Sequence, residues 1–411
     1  MRGARAHHNR SLSPQTLRME PILTRPLRIL VVQNVPHTLR GGMTRMLGFI
    51  HDRVAADGHN IEFFSAEQVP NYFRGRRARY AFPWLALRHA RRAALAGRPY
   101  DVINIHEPSA WAMVRFKGLV GNPVIAVTTH GIEERGWTVT REDARLGRDR
   151  LRLRTKIVHP LSVVLPSRYA LRHADHIFCL NESDRQFLLT RYHHSPDRVT
   201  RMFPAADPVY LASFASRDYT LPPNRLLWFG TWLVRKGRPD AVAAFVALAS
   251  RFPDLKFVAM GSGTSADIVR EAFPEHLRGR VEYVPPATGS GSREYAAEML
   301  HAAAYVLPSV FEGTPLTLME TMATGLPPVA TSVCGMNDVI RDGENGLLVP
   351  PRSPVALADM VTRLLADRGL RERLGRQAHA DVAADYTWDK VAEPVRRVYR
   401  RIAEGRSRRI P

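Results

Sequence analysis

From residue 27 onward the chain alternates short apolar runs with stretches of helical periodicity, in two sets of six. The first set falls at 27–33, 61–65, 101–106, 124–130, 176–181 and 199–203. The second falls at 225–230, 256–261, 281–285, 305–308, 328–331 and 346–350. Runs of this length, separated by enough residues for a helix, predict parallel strands, because a parallel pair needs a long crossover connection and a helix usually supplies it. At 411 residues the chain can build two such doubly wound units, each with its own core. Pro208, Ser213, Pro222 and Pro223 fall between them and mark 208–224 as a linker. The expected class is α/β, with an N-terminal domain at 27–207 and a C-terminal domain at 225–387.

Composition narrows the setting. An apolar fraction of 45% suits a globular protein and excludes wholesale disorder. Cys179 and Cys334 lie far apart, and Cys179 sits in an apolar run, so buried free thiols and a reducing, cytoplasmic compartment are expected. No stretch of ~18 uninterrupted apolar residues predicts a membrane span. Residues 1–26 lack the apolar core of a secretory signal and read as a disordered tail, with Met19 an alternative start. The net charge of +20 is carried almost entirely by Arg, which binds phosphate and carboxylate bidentately. Nucleic acid is disfavoured, since the chain has no finger, RNP-like or basic-zipper pattern. An anionic membrane face and a merely solvated Arg-rich surface are equally compatible with the charge.

The densest chemistry lies in Glu312-Gly-Thr-Pro-Leu-Thr-Leu-Met-Glu320, between an apolar strand and a helical run. Thr314 is a suitable N-cap and Pro315 a suitable first helical residue. The N–H groups of Leu316 and Thr317 would then be free donors at a positive helix end, able to hold phosphate without a metal. Glu320 shares their helical face about one turn deeper, better placed for ribose hydroxyls than for phosphate. Glu312 precedes the helix and can face a sugar. Spacing alone fits two readings equally: a ligand site, or acidic residues that stabilise a helix start and sit in solvent.

Other segments fall at strand ends, where ligands bind in open α/β sheets. Lys236 and Gly237 follow the seventh run, a point charge beside a residue that allows close backbone approach, though an ordinary basic loop with Arg235 explains them too. Gly41-Gly42 before a helix can present N–H groups to an anion, or can form a plain turn. His130 ends the fourth run and can be a ligand or a structural turn histidine. There is no G-x-G-x-x-G for a dinucleotide oxidoreductase and no D-x-D for a metal.

Taken together, the segment from Glu312 to Glu320 resembles the E-x7-E signature of retaining family 4 glycosyltransferases. The resemblance runs from about 27 to 402 and is densest between 226 and 351. It implies the GT-B fold: two Rossmann-like doubly wound domains facing across a cleft, with 388–411 returning as a helix to the first domain. It implies a hexosyl-transferring enzyme that uses a nucleotide-sugar donor and needs no cofactor or metal. It implies Glu320 on the ribose, Glu312 on the donor sugar with Gly313 and Thr314 beside it, and Leu316 and Thr317 on the diphosphate. Lys236, with Arg235, is implied to stabilise the leaving group, His130 to meet the donor sugar, and Gly41 with Gly42 to lie near the phosphate. Thr231 stands where the family usually has Arg, and Arg235 can supply that charge.

The resemblance also implies an acceptor that is a glycan or lipid-linked glycan, in cell-surface polysaccharide assembly. Peripheral attachment to the inner membrane face is the matching expectation. Two basic stretches bear on it. Residues 72–98 interleave Arg74, Arg76, Arg77, Arg79, Arg88, Arg91 and Arg92 with aromatics, and 145–154 carries five Arg. Competing readings are a GT-B nucleotide-sugar epimerase and a non-catalytic sugar-nucleotide-binding assembly subunit.

Overall fold

The computed structural model describes residues 26–36, 42–70, 78–286 and 292–407. Among these residues twelve strands form two sheets. The first contains β1 (Arg28–Val32), β2 (Asn60–Phe64), β3 (Val102–His106), β4 (Val124–Thr128), β5 (His176–Cys179) and β6 (Val199–Arg201), in the order β2-β1-β3-β4-β5-β6. The second contains β7 (Arg225–Phe229), β8 (Lys256–Met260), β9 (Val281–Val284), β10 (Ala304–Leu307), β11 (Pro328–Thr331) and β12 (Leu347–Val349), in the order β12-β11-β10-β7-β8-β9. All pairings are parallel. The strand order reverses at β1/β3 and at β7/β10, the two crevices where such sheets accept ligands.

The strands are apolar on both faces because helices cover both. Leu30, Val32, Ile103 and Ile105 enter one core of the first sheet, while Ile29, Val31 and Val102 enter the other. In the second sheet Leu226, Trp228 and Phe257 point to one side, and Leu227, Phe229 and Val258 to the other. This is the period of two expected for a strand buried on both sides.

Seven helices position the cleft and its surroundings: α1 (Gly42–Ala56), α2 (Ala78–Leu95), α3 (Glu133–Arg145), α4 (153–173), α5 (Arg238–Arg251), α6 (Leu316–Ala323) and α7 (Trp388–Ser407). Helix α4 runs without interruption through Leu153–His159, a π-helical turn at Pro160–Val164, and Leu165–His173. Helix α7 packs along α1 under the first sheet. Val391, Val395, Val398 and Tyr399 enter the same core as Met46, Leu47, Ile50 and Val54. Tyr399 Oη accepts from Asn104 at 2.9 Å and meets His51 Nε2 at 3.2 Å. The 208–224 stretch is more than a tether. Asp207 caps a short helix, Pro208–Ser213, through Val209 N at 3.1 Å, and Tyr210 is fully buried in the second domain's core.

The two domains touch across the cleft. Asp143 on α3 accepts from Arg352 Nε at 2.7 Å, and Arg148 reaches Asp240 on α5. Asp338 Oδ2 accepts from Glu182 N at 2.7 Å. Buried or nearly buried acids meeting Arg in this way fix geometry, since a lone buried charge would be costly.

Candidate active site

The loops that leave β4, β7 and β10 converge in the cleft. Gly131, directly after His130, has φ +117, a backbone state that favours glycine. A side-chain carbon on Gly131 would lie 3.3 Å from Gly313 N, and one on Gly313 would lie 2.7 Å from the His130 carbonyl oxygen. Glycine at both positions lets the Glu312 loop of the second domain seat directly on the His130 loop of the first. Gly237 has φ +80, and a side chain there would overlap the Pro308 carbonyl, so the Lys236 loop and the β10 exit also require close backbone contact.

These contacts assemble a charged cluster. Lys236 Nζ pairs with Glu312 Oε1, Arg235 lies 3.6 Å from Glu312 Oε2, and Ser309 Oγ donates to Glu312 at 3.0 Å. Arg235 also donates to the Phe311 carbonyl at 2.8 Å, and its own carbonyl accepts from Val310 N at 2.9 Å. Burial works to raise the Glu312 carboxyl, but Lys236 and Arg235 outweigh it and hold it below its usual range. Glu312 is therefore an anion fixed between two cations.

A second cluster sits at the start of α6. Arg45 on α1 pairs with Glu320, and both are almost fully buried. Burial pushes Glu320 up to about 7, against the pull of Arg45. Glu320 Oε2 makes no hydrogen bond to a described residue. Gly42 lies against the Leu316 side chain, so the start of α1 and the start of α6 adjoin. Thr317 Oγ1 and Tyr305 Oη are 2.9 Å apart.

The N-cap expectation for Thr314 is corrected here. Pro315 is the N-cap residue, with φ −68 and ψ 128, and Leu316 is the first helical residue. Thr314 Oγ1 instead donates to the Leu180 carbonyl of the first domain at 2.5 Å. A buried carbonyl across the cleft outcompetes the local cap. Leu316 and Thr317 still stand in the first turn of α6, where N–H groups lack helical acceptors. Gly41 lies outside the described residues.

Between the clusters and the first domain is a cavity of about 270 Å³, lined by Met43, Glu107, His130, Gly131, Glu133, Trp137, His159, Arg235 and Phe311 among others. His130 Nε2 is sealed from solvent with no hydrogen bond to a described residue, and burial lowers this imidazole to about 4, so it is neutral. The ring of His106 lies 4.6 Å away and is likewise held neutral by burial. Glu107 belongs to no motif that the sequence displays. Burial, with the charge of Glu133, pushes its carboxyl up to about 8, and its Oε2 is sealed with no hydrogen bond to a described residue. Its only sequence signal is its place just after β3, where β4 places His130. Arg45, Glu133, Trp137 and His159 carry no local signal either, because long-range packing brings them in.

The arrangement brings together a fixed anion, two cations, a helix start, a neutral imidazole and a neutral acid. Among the described residues no group of three or more His, Cys, Asp or Glu could hold a metal ion.

Comparison with known proteins matches both domains to family models. Residues 40–209 match the family model Glycosyltransferase Family 4, and 223–367 match Glycosyl transferases group 1. An alpha-D-kanosaminyltransferase of Streptomyces kanamyceticus is 30% identical over 57% of this chain and 62% of its own. A phosphatidyl-myo-inositol mannosyltransferase of Mycobacterium leprae is 33% identical over 42% of this chain and 45% of its own. The chain spans about half the length of the curated relatives it matches. A sucrose-phosphate synthase structure from Thermosynechococcus elongatus superposes with a TM-score of 0.70 at 19% identity, covering 92% of this chain and 100% of that one, and so shares the fold. With one model on each domain and the GT-B architecture beneath both, the chain belongs to the family 4 glycosyltransferases.

Proposed function

We propose that the chain is a retaining, nucleotide-sugar-dependent glycosyltransferase. It moves a hexosyl group from a donor held on the second domain to a glycan or lipid-linked acceptor in the first-domain cavity. The observation that carries this reading is the seating of the Glu312-Gly313 loop on the His130 loop, with Lys236 and Arg235 beside the Glu312 carboxylate. The donor sugar would lie between Glu312 and His130, the diphosphate against Lys236, Arg235 and the N–H groups of Leu316 and Thr317, and the ribose on Glu320.

In this reading the leaving diphosphate gains charge as the glycosidic bond breaks. Preorganised cations and helix-end N–H groups stabilise that charge without reorganising. The leaving phosphate helps deprotonate the acceptor hydroxyl on the same face, so no protein nucleophile is required, and Glu312 with Glu320 is not a glycosidase acid/base pair. Neutral His130 offers a hydrogen bond to the sugar. Glu107, neutral up to about pH 8, can donate one to the acceptor. Thr231 leaves a charge position empty, and Arg235, 3.6 Å from Glu312, supports the view that it fills that place. No metal is needed in this scheme. Cell-surface polysaccharide assembly at the cytoplasmic membrane face is the proposed setting, supported by the charge of +20.

The test is a thermal-shift and donor-hydrolysis screen of UDP-, GDP-, ADP- and dTDP-sugars, with a Glu320→Gln control. A donor that stabilises the wild type, is slowly hydrolysed, and loses both effects in the variant supports the reading. Binding of a donor with no hydrolysis or transfer to any acceptor would favour the assembly-subunit alternative.

A further inference from the structure

Helix α4 carries five exposed apolar side chains at four-residue steps: Leu153, Ile157, Leu161, Leu165 and Tyr169, each between 36% and 72% exposed. Single exposed apolar residues are ordinary, but a row of five spanning roughly 24 Å is not. The helix does not lack a core face, since Val163, Val164, Ser167, Ala170 and Leu171 are buried on its other side. The row also winds less around the helix than its spacing alone would give. In an α-helix each four-residue step overshoots one turn by about 40°, so five positions would wind nearly halfway round. The wider π turn at Pro160–Val164 undershoots and offsets part of that drift. It begins at Pro160, which has no N–H for the α-helical ladder.

The flanks are cationic. Arg150, Arg152, Arg154, Lys156 and Arg172 are exposed and make no ion pair with a described residue. Between 146 and 173 Asp149 is the sole acidic residue. This charge selects among occupants. A second copy packed on the same face would set the same cations against each other. A neutral apolar partner would leave them without counter-charges. An anionic lipid surface satisfies both features, because its headgroups pair with the cations while the row enters the acyl boundary.

The face is also joined to the cavity. His159 on α4 lines the 270 Å³ cavity of the candidate site. Lys156 and Pro160 line a neighbouring cavity of about 520 Å³ with Trp137 and Arg141. Trp137 borders both. A surface reached by α4 is therefore next to the openings through which an acceptor would enter.

We propose that α4 docks on an anionic phospholipid bilayer, its Leu153-to-Tyr169 row inserted and its Arg and Lys flanks on the headgroups. This deepens the membrane setting proposed for the enzyme and rests on that reading only for the setting, since it is independent of donor chemistry. No described helix is long and apolar enough to cross a membrane, so the contact is a surface one.

The test is co-sedimentation of the full chain with phosphatidylcholine vesicles, with and without about a third phosphatidylglycerol. Wild type is expected to bind the anionic vesicles and to release as salt rises. The triple variant Ile157→Ser, Leu161→Ser, Leu165→Ser is expected to lose roughly nine-tenths of that binding. Its donor hydrolysis without vesicles should stay at wild-type level, which also reports an intact fold. Replacing Arg152, Arg154 and Lys156 by Gln should weaken binding and flatten its salt dependence. Equal binding to both vesicle types, undiminished binding by the triple variant, or a wild-type dimer that the triple variant converts to monomer would each overturn the proposal. Selective vesicle binding by a chain that hydrolyses no donor would support it while removing the enzymatic reading.

Discussion

Arg45 on α1 of the first domain donates to Glu320 on α6 of the second, a buried pair whose members stand 275 positions apart. It ties the proposed ribose carboxylate to the opposite domain. Burial alone would hold Glu320 neutral, and Arg45 is what draws it toward the charged form. Anything that engages Glu320 also bears on how the domains sit together.

That pairing shapes the first prediction. Glu320→Ala would strand Arg45 as a buried charge and should cost roughly 3–5 kcal/mol of stability. Glu320→Gln keeps the shape and a polar partner, so it should unfold within a few degrees of wild type. Its donor affinity should fall about 10–100-fold, the loss of charged hydrogen bonds to two hydroxyls. Calorimetric titration with the donor identified by screening checks this, and unchanged affinity would remove Glu320 from the donor site.

Glu107 gives a pH prediction. The folded carboxyl keeps its proton to about 8, whereas its ordinary value is 4.5. Between those values the folded state binds more protons than the unfolded one, so stability falls as pH rises across that window and levels off above it. Glu107→Gln imitates the protonated acid. It should remove this slope, with melting temperature gaining on wild type from about pH 5 to about pH 8. Transfer by the variant should persist near neutrality and decline less than wild type above about pH 8. Parallel slopes for the two proteins would mean Glu107 is ionised in the fold.

Lys236 and Glu312 separate stability from turnover. Lys236→Met leaves Glu312 with the Ser309 hydroxyl at 3.0 Å and, among the described cations, Arg235 at 3.6 Å. It should destabilise the protein by up to roughly 3–5 kcal/mol, less where water reaches the site. The turnover number should drop about 10²–10³-fold, the usual effect of losing one preorganised charge. Adding Glu312→Gln should recover stability but not turnover. Recovery of both would show that the pair serves packing alone.

The fold is legible in the sequence because strands covered on both faces are apolar throughout, and twelve such runs leave little else to build. Glu312, Lys236, Arg235, His130 and Gly313 are readable as strand-end residues, and they do converge. What local patterns miss depends on the other domain. Thr314 obeys the local rule for a cap, yet the Leu180 carbonyl claims its hydroxyl. Arg45 looks like any helix arginine until Glu320 arrives from the second domain. Glu107 becomes a neutral acid only when Glu133 and the cavity wall surround it. The row on α4 is hidden because a π turn, which local patterns do not announce, offsets part of its drift around the helix.

The last prediction uses two glycines to distinguish folding from closure. Gly237→Ala places a side chain at φ +80 against the Pro308 carbonyl, inside one domain. It should destabilise the second domain by more than about 1 kcal/mol and lower its melting temperature. Gly313→Ala places its side chain 2.7 Å from the His130 carbonyl oxygen, across the cleft. Each domain can still fold, but the two loops can no longer seat. Melting should change little, donor binding to the second domain should persist, and transfer should fail, with a larger radius of gyration by X-ray scattering. Full transfer activity in Gly313→Ala would show that this close approach of the two domains is not needed for the reaction.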